Sequence, residues 1–274
     1  MSRILAVANQ KGGVAKTTTV ASLGAALAEL GLRVLLVDLD AQSSLTYSLG
    51  LDPDEVEHGL HDVLAGRVGV REAVVSAADG VDVLPATIDL SATESELATV
   101  DEREFVLRAA LADVQDAYDV VILDCSPSLG MLTLNALAAA DEVIIPLQCE
   151  MLSHRGVGQL LDTIEDVQRL LNPSLSVRGV LPTMFDARTA HQQAVLADVA
   201  QRYDVPVLHP AIPRSVRFAE APAVGRSVLT TARRSKGAQA YRQVATDLAG
   251  SWHLRPPGRA SAAPVRRTRR TPAG

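Results

Sequence analysis

Near the start of the chain, Lys11, Gly12, Gly13, Val14, Ala15, Lys16, Thr17 and Thr18 bring two amines, two glycines and two hydroxyls into one short segment. These residue types in this order suit the holding of phosphate groups. The glycine pair lets the backbone come close to an anion, N–H groups at the opening of a helix point at its oxygens, and the helix dipole adds favourable charge. Lys16 can reach the outer phosphates of a nucleotide, and the Thr17 hydroxyl can ligate Mg2+. The strict pattern G-x-x-x-x-G-K-[ST] is not met, because Gln10 and Ala15 stand in place of its two glycines, so the reading rests on the strand–turn–helix context. Two later segments offer carboxylates: Asp38 and Asp40 within VLLVDLDAQ (34–42), and Asp124 directly after VVIL (120–123). An apolar strand ending in Asp is a way of presenting a carboxylate to magnesium, usually through water. Singly, each Asp also fits a turn or a helix cap. Three such motifs in order, all at the carboxyl ends of strands, fit a nucleotide site better.

The elements that must position these groups read as alternating strands and helices. Short β-branched runs at 4–8, 33–37, 81–84, 120–123, 142–146, 177–182 and 206–208 read as strands. Helix-length stretches lie between most of them, for example 16–30, 102–115, 132–139, 156–171 and 191–203. This alternation predicts an α/β fold: a doubly wound, mostly parallel sheet with helices on both faces, built from right-handed crossovers. Aromatic residues are only 3% of the chain and hydrophobic residues 47%, which suits buried parallel strands under Ala- and Leu-rich helices. We expect one domain over 1–254 and a disordered, Arg- and Pro-rich basic tail over 255–274, which offers no apolar face to pack.

The segments KGGVAKTT (11–18), DLDAQ (38–42), LDCSPSL (123–129) and IPRSVR (212–217) together resemble the ParA/Soj partition ATPases, within the deviant Walker A class of P-loop proteins. The resemblance covers nearly everything from Arg3 to about Leu254. It implies a slow, partner-stimulated ATPase that uses ATP and Mg2+ and forms an ATP-sandwiched homodimer. In that dimer Lys11 would reach across to the partner's phosphates, acting as an arginine finger does. By the same resemblance Asp40 positions or activates the attacking water and belongs to the metal site with Thr17 and Asp124, while Thr18 supports the α-phosphate. The segments 181–188 and 211–213, with Pro213, resemble the family's adenine pocket. The family also implies non-specific binding of double-stranded DNA, with Arg188, Arg214, Arg217, Arg233, Arg234 and Lys236 as the candidate contacts to phosphates. Each of these can equally be a solvated or ion-paired side chain. A ParB-like protein is the implied partner, and the nucleoid in the cytoplasm the implied location. Ala15 and Ala41 depart from the family's pattern and point to a divergent paralogue. No helix-turn-helix precedes the first strand, so operator-specific repression is not expected.

Charge and composition bound the alternatives. The net charge is −6, and the last twenty residues hold six arginines and no acid, so the first 254 residues carry −12. An acidic body argues against nucleic-acid binding over the whole surface and leaves room for local basic patches. Cys125 and Cys149 are too few for a disulfide framework, and neither has the glycine-rich loop of a bridging iron–sulfur cluster such as that of the nitrogenase iron protein. No stretch is long and apolar enough for a membrane span. A MinD-like membrane cycle needs an amphipathic tail with a wide apolar face, which 255–274 lacks. The other alternative is a nucleotide-gated scaffold that scarcely hydrolyses because of Ala15.

Overall fold

A computed structural model describes residues 2–150 and 153–254; the basic segment 255–274 lies outside the described residues. In chain order the elements are β1 (Arg3–Val7), α1 (Lys16–Glu29), β2 (Val34–Leu39), α2 (Ser44–Ser48), α3 (Leu60–Leu64), α4 (Val70–Ala73), β3 (Val75–Ser76) and β4 (Asp82–Leu84). There follow α5 (Leu90–Leu97), α6 (Val106–Ala112), β5 (Val120–Cys125), α7 (Met131–Ala139), β6 (Glu142–Gln148), α8 (Ser153–Leu170) and β7 (Ser176–Thr183). The last are α9 (Ala190–Tyr203), α10 (Arg217–Glu220), α11 (Val228–Thr231) and α12 (Lys236–Ser251). The sheet has seven strands in the order β3-β4-β2-β5-β1-β6-β7. Every pairing is parallel except β3 with β4 at one edge.

The period-2 alternation of each strand divides the core into two layers. Ile4 and Ala6 of β1, with Ala8 just beyond it, join Leu35, Val37, Val121 and Leu123 on one face, under α7 and α8. Leu5 and Val7 join Val34, Leu36, Val120 and Ile122 on the other, under α1 and α12. β2 and β5 are buried along their whole length, so both their faces are apolar and they read as continuous hydrophobic runs. α1 is sandwiched between the sheet and α12, and Thr19 through Leu27 are all buried. Its Gly24 lies so near β2 that an added Cβ would come within 2.7 Å of the Leu36 side chain. At the opposite end of the molecule from the carboxyl edge, Trp252 is buried and its indole N–H donates to Glu142 at 3.0 Å.

Two expectations need correction. Pro206–Leu208 is not a strand: only an isolated bridge from Val207 to Val180 forms, because Pro206 has no N–H to give a ladder. The helix expected over 102–115 is shorter and broken, a 3-10 turn at Arg103–Phe105 leading into α6.

Candidate functional site

The sheet register explains why the acidic motifs meet. Asp38 of β2 lies opposite Asp124 of β5, and Asp124 opposite Val7 of β1, so the phosphate-loop strand and both carboxylate strands end at one level. The loop from Asn9 to Ala15 then passes over that edge into α1. Asn9 pins it: its buried amide N–H donates to Pro146 O of β6 at 2.7 Å, and its Oδ1 accepts from Lys11 N–H at 2.9 Å. Thr183 Oγ1 donates to Val14 O at 3.0 Å, anchoring the loop to β7. Thr19 Oγ1 and Tyr241 OH share a buried hydrogen bond of 2.9 Å, which ties the first turn of α1 to α12.

The loop itself is held open. Gly13 (φ 73°) and Ala15 (φ 68°, ψ 35°) are both left-handed, and the first helical hydrogen bond is Thr19 N–H to Ala15 O at 2.9 Å. From Gly12 through Thr18 no backbone N–H has an acceptor among the described residues. A loop with two left-handed residues and its donors unclaimed can form a concave anion nest. Lys16 Nζ is buried beneath it and donates to Lys11 O at 3.3 Å. Burial lowers its pKa, and Asp124 chiefly opposes that shift.

Asp124 is fully buried, and neither carboxylate oxygen completes a hydrogen bond. Burial raises its pKa well above the ordinary carboxylate range, the neighbouring Asp38 adds to this, and the nearby Thr17 hydroxyl and Lys16 oppose it. An orphaned buried carboxylate beside a hydroxyl fits a hydrated Mg2+, which takes one or two carboxylates and completes its shell with water and phosphate. No cluster of three or more His, Cys, Asp and Glu side chains with metal-holding geometry occurs among the described residues. Asp38 has a different task. It accepts from Thr46 N–H at 2.9 Å and Thr46 Oγ1 at 2.7 Å, and Thr46 Oγ1 in turn accepts from Ala86 N–H at 3.0 Å. Burial still pushes it up to about 6. Asp40 is half-buried one step beyond the strand, its N–H donating to Asp38 Oδ1 and its own Oδ1 accepting from Gln42 N–H.

Beside the loop a cavity of about 330 Å³ is lined by Gly13, Ala15, Thr18, Thr183, Met184 and Pro213. Its far wall is backbone: Ile212 N–H donates to Pro182 O and Phe185 N–H to Ile212 O, which brings the segments 181–188 and 211–213 together. Lys11 is half-exposed, and its amine is paired with Glu150 at 2.6 Å. The six basic candidates divide. Arg188, Arg214 and Lys236 line one open cleft of about 1230 Å³ with Phe185, Leu196 and Gln239. Arg217 is paired with Glu220 at 2.7 Å, Arg233 lies 3.9 Å from Glu29, and Arg234 is exposed and lines neither cavity. Arg188 itself is paired with Asp186 at 3.0 Å. Cys125 and Cys149 are free and buried, and burial pushes their thiols up to about 12 and about 11. Sequence reasoning assigns no role to Asn9, Tyr241 or Glu150, whose partners are distant in the chain, and places Thr183 only within the adenine-pocket segment. For Asn9 alone a local signal exists, a buried-type amide directly after an apolar strand.

Comparison with known proteins agrees with this geometry. A family model described as an AAA domain matches residues 2–177. The chain is 44% identical over 252 residues to the sporulation initiation inhibitor protein Soj of Bacillus subtilis, covering 92% of this chain and all of the relative. It is also 44% identical over 249 residues to the chromosome partitioning protein ParA of Caulobacter vibrioides, covering 90% of this chain and 93% of the relative. Among solved structures, one described as cobyrinic acid a,c-diamide synthase from Mycobacterium smegmatis with bound ATP analogue and magnesium superposes with a TM-score of 0.84 at 54% identity, over 92% of this chain and 96% of that one. With these relatives matched over nearly their full length, and the phosphate-loop strand and both carboxylate strands converging on one edge, the chain belongs to the ParA/Soj family of P-loop partitioning ATPases.

Proposed function

We propose that this protein is an ATP-driven dimerisation switch that binds DNA non-specifically in its ATP-bound dimer and acts in chromosome or plasmid partitioning. The observation that carries the reading is the run of unclaimed N–H groups from Gly12 to Thr18 over a buried Lys16, beside an orphaned Asp124. Such a nest suits a polyphosphate, and the half-open cavity by Thr183 and Pro213 suits a planar base read through backbone groups. Thr17 and Asp124 would hold magnesium, which when bound supplies positive charge at the phosphates. Lys16 neutralises phosphate charge in cis, Thr18 supports the inner phosphate, and Asp40 orients water at the open end. Lys11, half-exposed at the rim, would serve a second copy of the chain. Arg214 and Lys236, in the cleft with Arg188, are the leading contacts to DNA phosphates, with Arg217, Arg233 and Arg234 as outlying ones. Residues 1–254 form the ATPase domain in this reading, and the six arginines of 255–274 add charge of the same sign. Hydrolysis stimulated by a ParB-like protein returns the dimer to monomers.

The synthase description of the M. smegmatis neighbour suggests a second chemistry. Release of ammonia from glutamine commonly needs an accessible thiolate, and both cysteines here are buried with raised thiol pKa values. Amide transfer is therefore the weaker reading.

The test is binding to a random-sequence duplex with no nucleotide, with ADP–Mg and with ATP–Mg, alongside the oligomeric state, for the wild type and Lys16→Ala. We expect a DNA-binding dimer with ATP alone, and neither property in the variant. Dimerisation without DNA binding would remove the partitioning assignment and keep the switch.

A further inference from the structure

Between the phosphate loop and the first turns of α8 lies a second cleft, of about 310 Å³. Asn9, Gln10, Lys11, Arg155, Gly156 and Gln159 line it. α8 comes close here: a Cβ on Gly156 would sit 3.4 Å from Asn9 Oδ1 and 3.9 Å from Lys11 N. The lining therefore holds two cations and several amides and no acid.

The charge of this cleft is unevenly distributed. Lys11 is already paired with Glu150 at 2.6 Å, so those two groups together present no net charge to an incoming anion. His154, the preceding residue, faces Asp198 at 3.2 Å and belongs to a separate contact with α9. Arg155 is exposed and makes no ion pair among the described residues. It thus supplies the net positive charge of the cleft, and its planar guanidinium can take two phosphate oxygens at once.

We propose that Arg155 is a second trans-acting phosphate contact, binding the nucleotide carried by another copy of this chain and doing so before Lys11 is released from Glu150. The inference rests on the ATP-dimer reading above and adds a residue to it. An approaching polyphosphate meets Arg155 first, and its charge then competes with the Glu150 carboxylate for the Lys11 amine. Recruitment of Lys11 becomes a consequence of docking.

The test uses the full chain with a slowly hydrolysed ATP analogue and magnesium, with the dimer dissociation constant measured by sedimentation for wild type, Arg155→Ala and Arg155→Lys. We expect Arg155→Ala to weaken the dimer by about tenfold or more, the size of one lost charge-assisted contact, with Arg155→Lys recovering part of the loss. Because Arg155 is exposed, the melting temperature without nucleotide reports whether the variant is folded. ADP affinity of the monomer separates cis from trans: a parallel fall in ADP affinity would place Arg155 at its own nucleotide and overturn the proposal. An unchanged dimer constant would overturn it too, while leaving the dimer reading intact. A wild type that never dimerises with ATP would remove both.

Discussion

Ala15 is the residue at which this phosphate loop differs most from a permissive one. Its left-handed backbone costs a non-glycine residue about 1–2 kcal/mol, and that strain sits directly under the nest it helps to shape. Replacement by glycine removes the strain and at the same time loosens the unfolded chain, a smaller effect of opposite sign, about 0.4–1 kcal/mol. Ala15→Gly should therefore raise the unfolding free energy by up to about 1 kcal/mol in urea titrations. Ala15→Val, with a β-branched side chain in the same conformation, should lose about 1–2 kcal/mol and weaken nucleotide binding. That Lys16, Thr17 and Asp124 meet at one edge of the sheet was legible in the sequence, because each belongs to a local motif at a strand end. Their supports were not. Asn9 to Pro146, Val14 to Thr183 and Thr19 to Tyr241 span between 137 and 222 residues, and no local spacing announces them.

At the scale of the strands, the register that sets Asp38 opposite Asp124 places two carboxylates in one buried region, and this has a measurable pH signature. Both have folded pKa values raised by burial, Asp38 to about 6. A raised carboxylate favours the folded state below its unfolded pKa of about 4, and the benefit is lost as pH rises through the folded value. Without nucleotide, the pair should thus pull stability down between about pH 4 and 6, by at most about 1.4 kcal/mol per pH unit for each proton involved. Asp38→Asn keeps an acceptor for Thr46 and removes one titrating group. The stability difference between wild type and variant should shift in the variant's favour across that window in denaturant titrations. A flat difference would mean that Asp38 titrates in its ordinary range in the folded protein. Most strands were legible as apolar runs, since β2 and β5 each carry four consecutive hydrophobic residues, then an Asp, then a fifth. β3 was not, because two residues cannot show a period, and its antiparallel pairing depends on the turn at Ala78–Gly80. α12 is not among the segments singled out by periodicity, although Ser235 caps it and Ala238, Tyr241, Ala245 and Leu248 form its buried stripe.

For the molecule as a whole, the large cleft of Arg188, Arg214 and Lys236 is a local concentration of basic groups on an acidic body. Arg188 already has Asp186, whose carboxyl it pulls down to about 2, whereas Arg214 and Lys236 make no ion pair among the described residues. If DNA docks there, the double variant Arg214→Ala, Lys236→Ala should lower the slope of log affinity against log salt by about two, one per phosphate contact, with little change in sequence preference. Arg188→Ala should matter less. A slope unchanged in the double variant would move the DNA surface elsewhere. The placement of Trp252 has an optical consequence. It is the chain's single tryptophan, it is buried, and its indole is bonded to Glu142 at the first residue of β6, whereas the phosphate loop is pinned near the last residues of that strand. Seven residues of strand span roughly 20 Å, so intrinsic fluorescence should report unfolding of the base of the sheet while staying almost blind to what occupies the top.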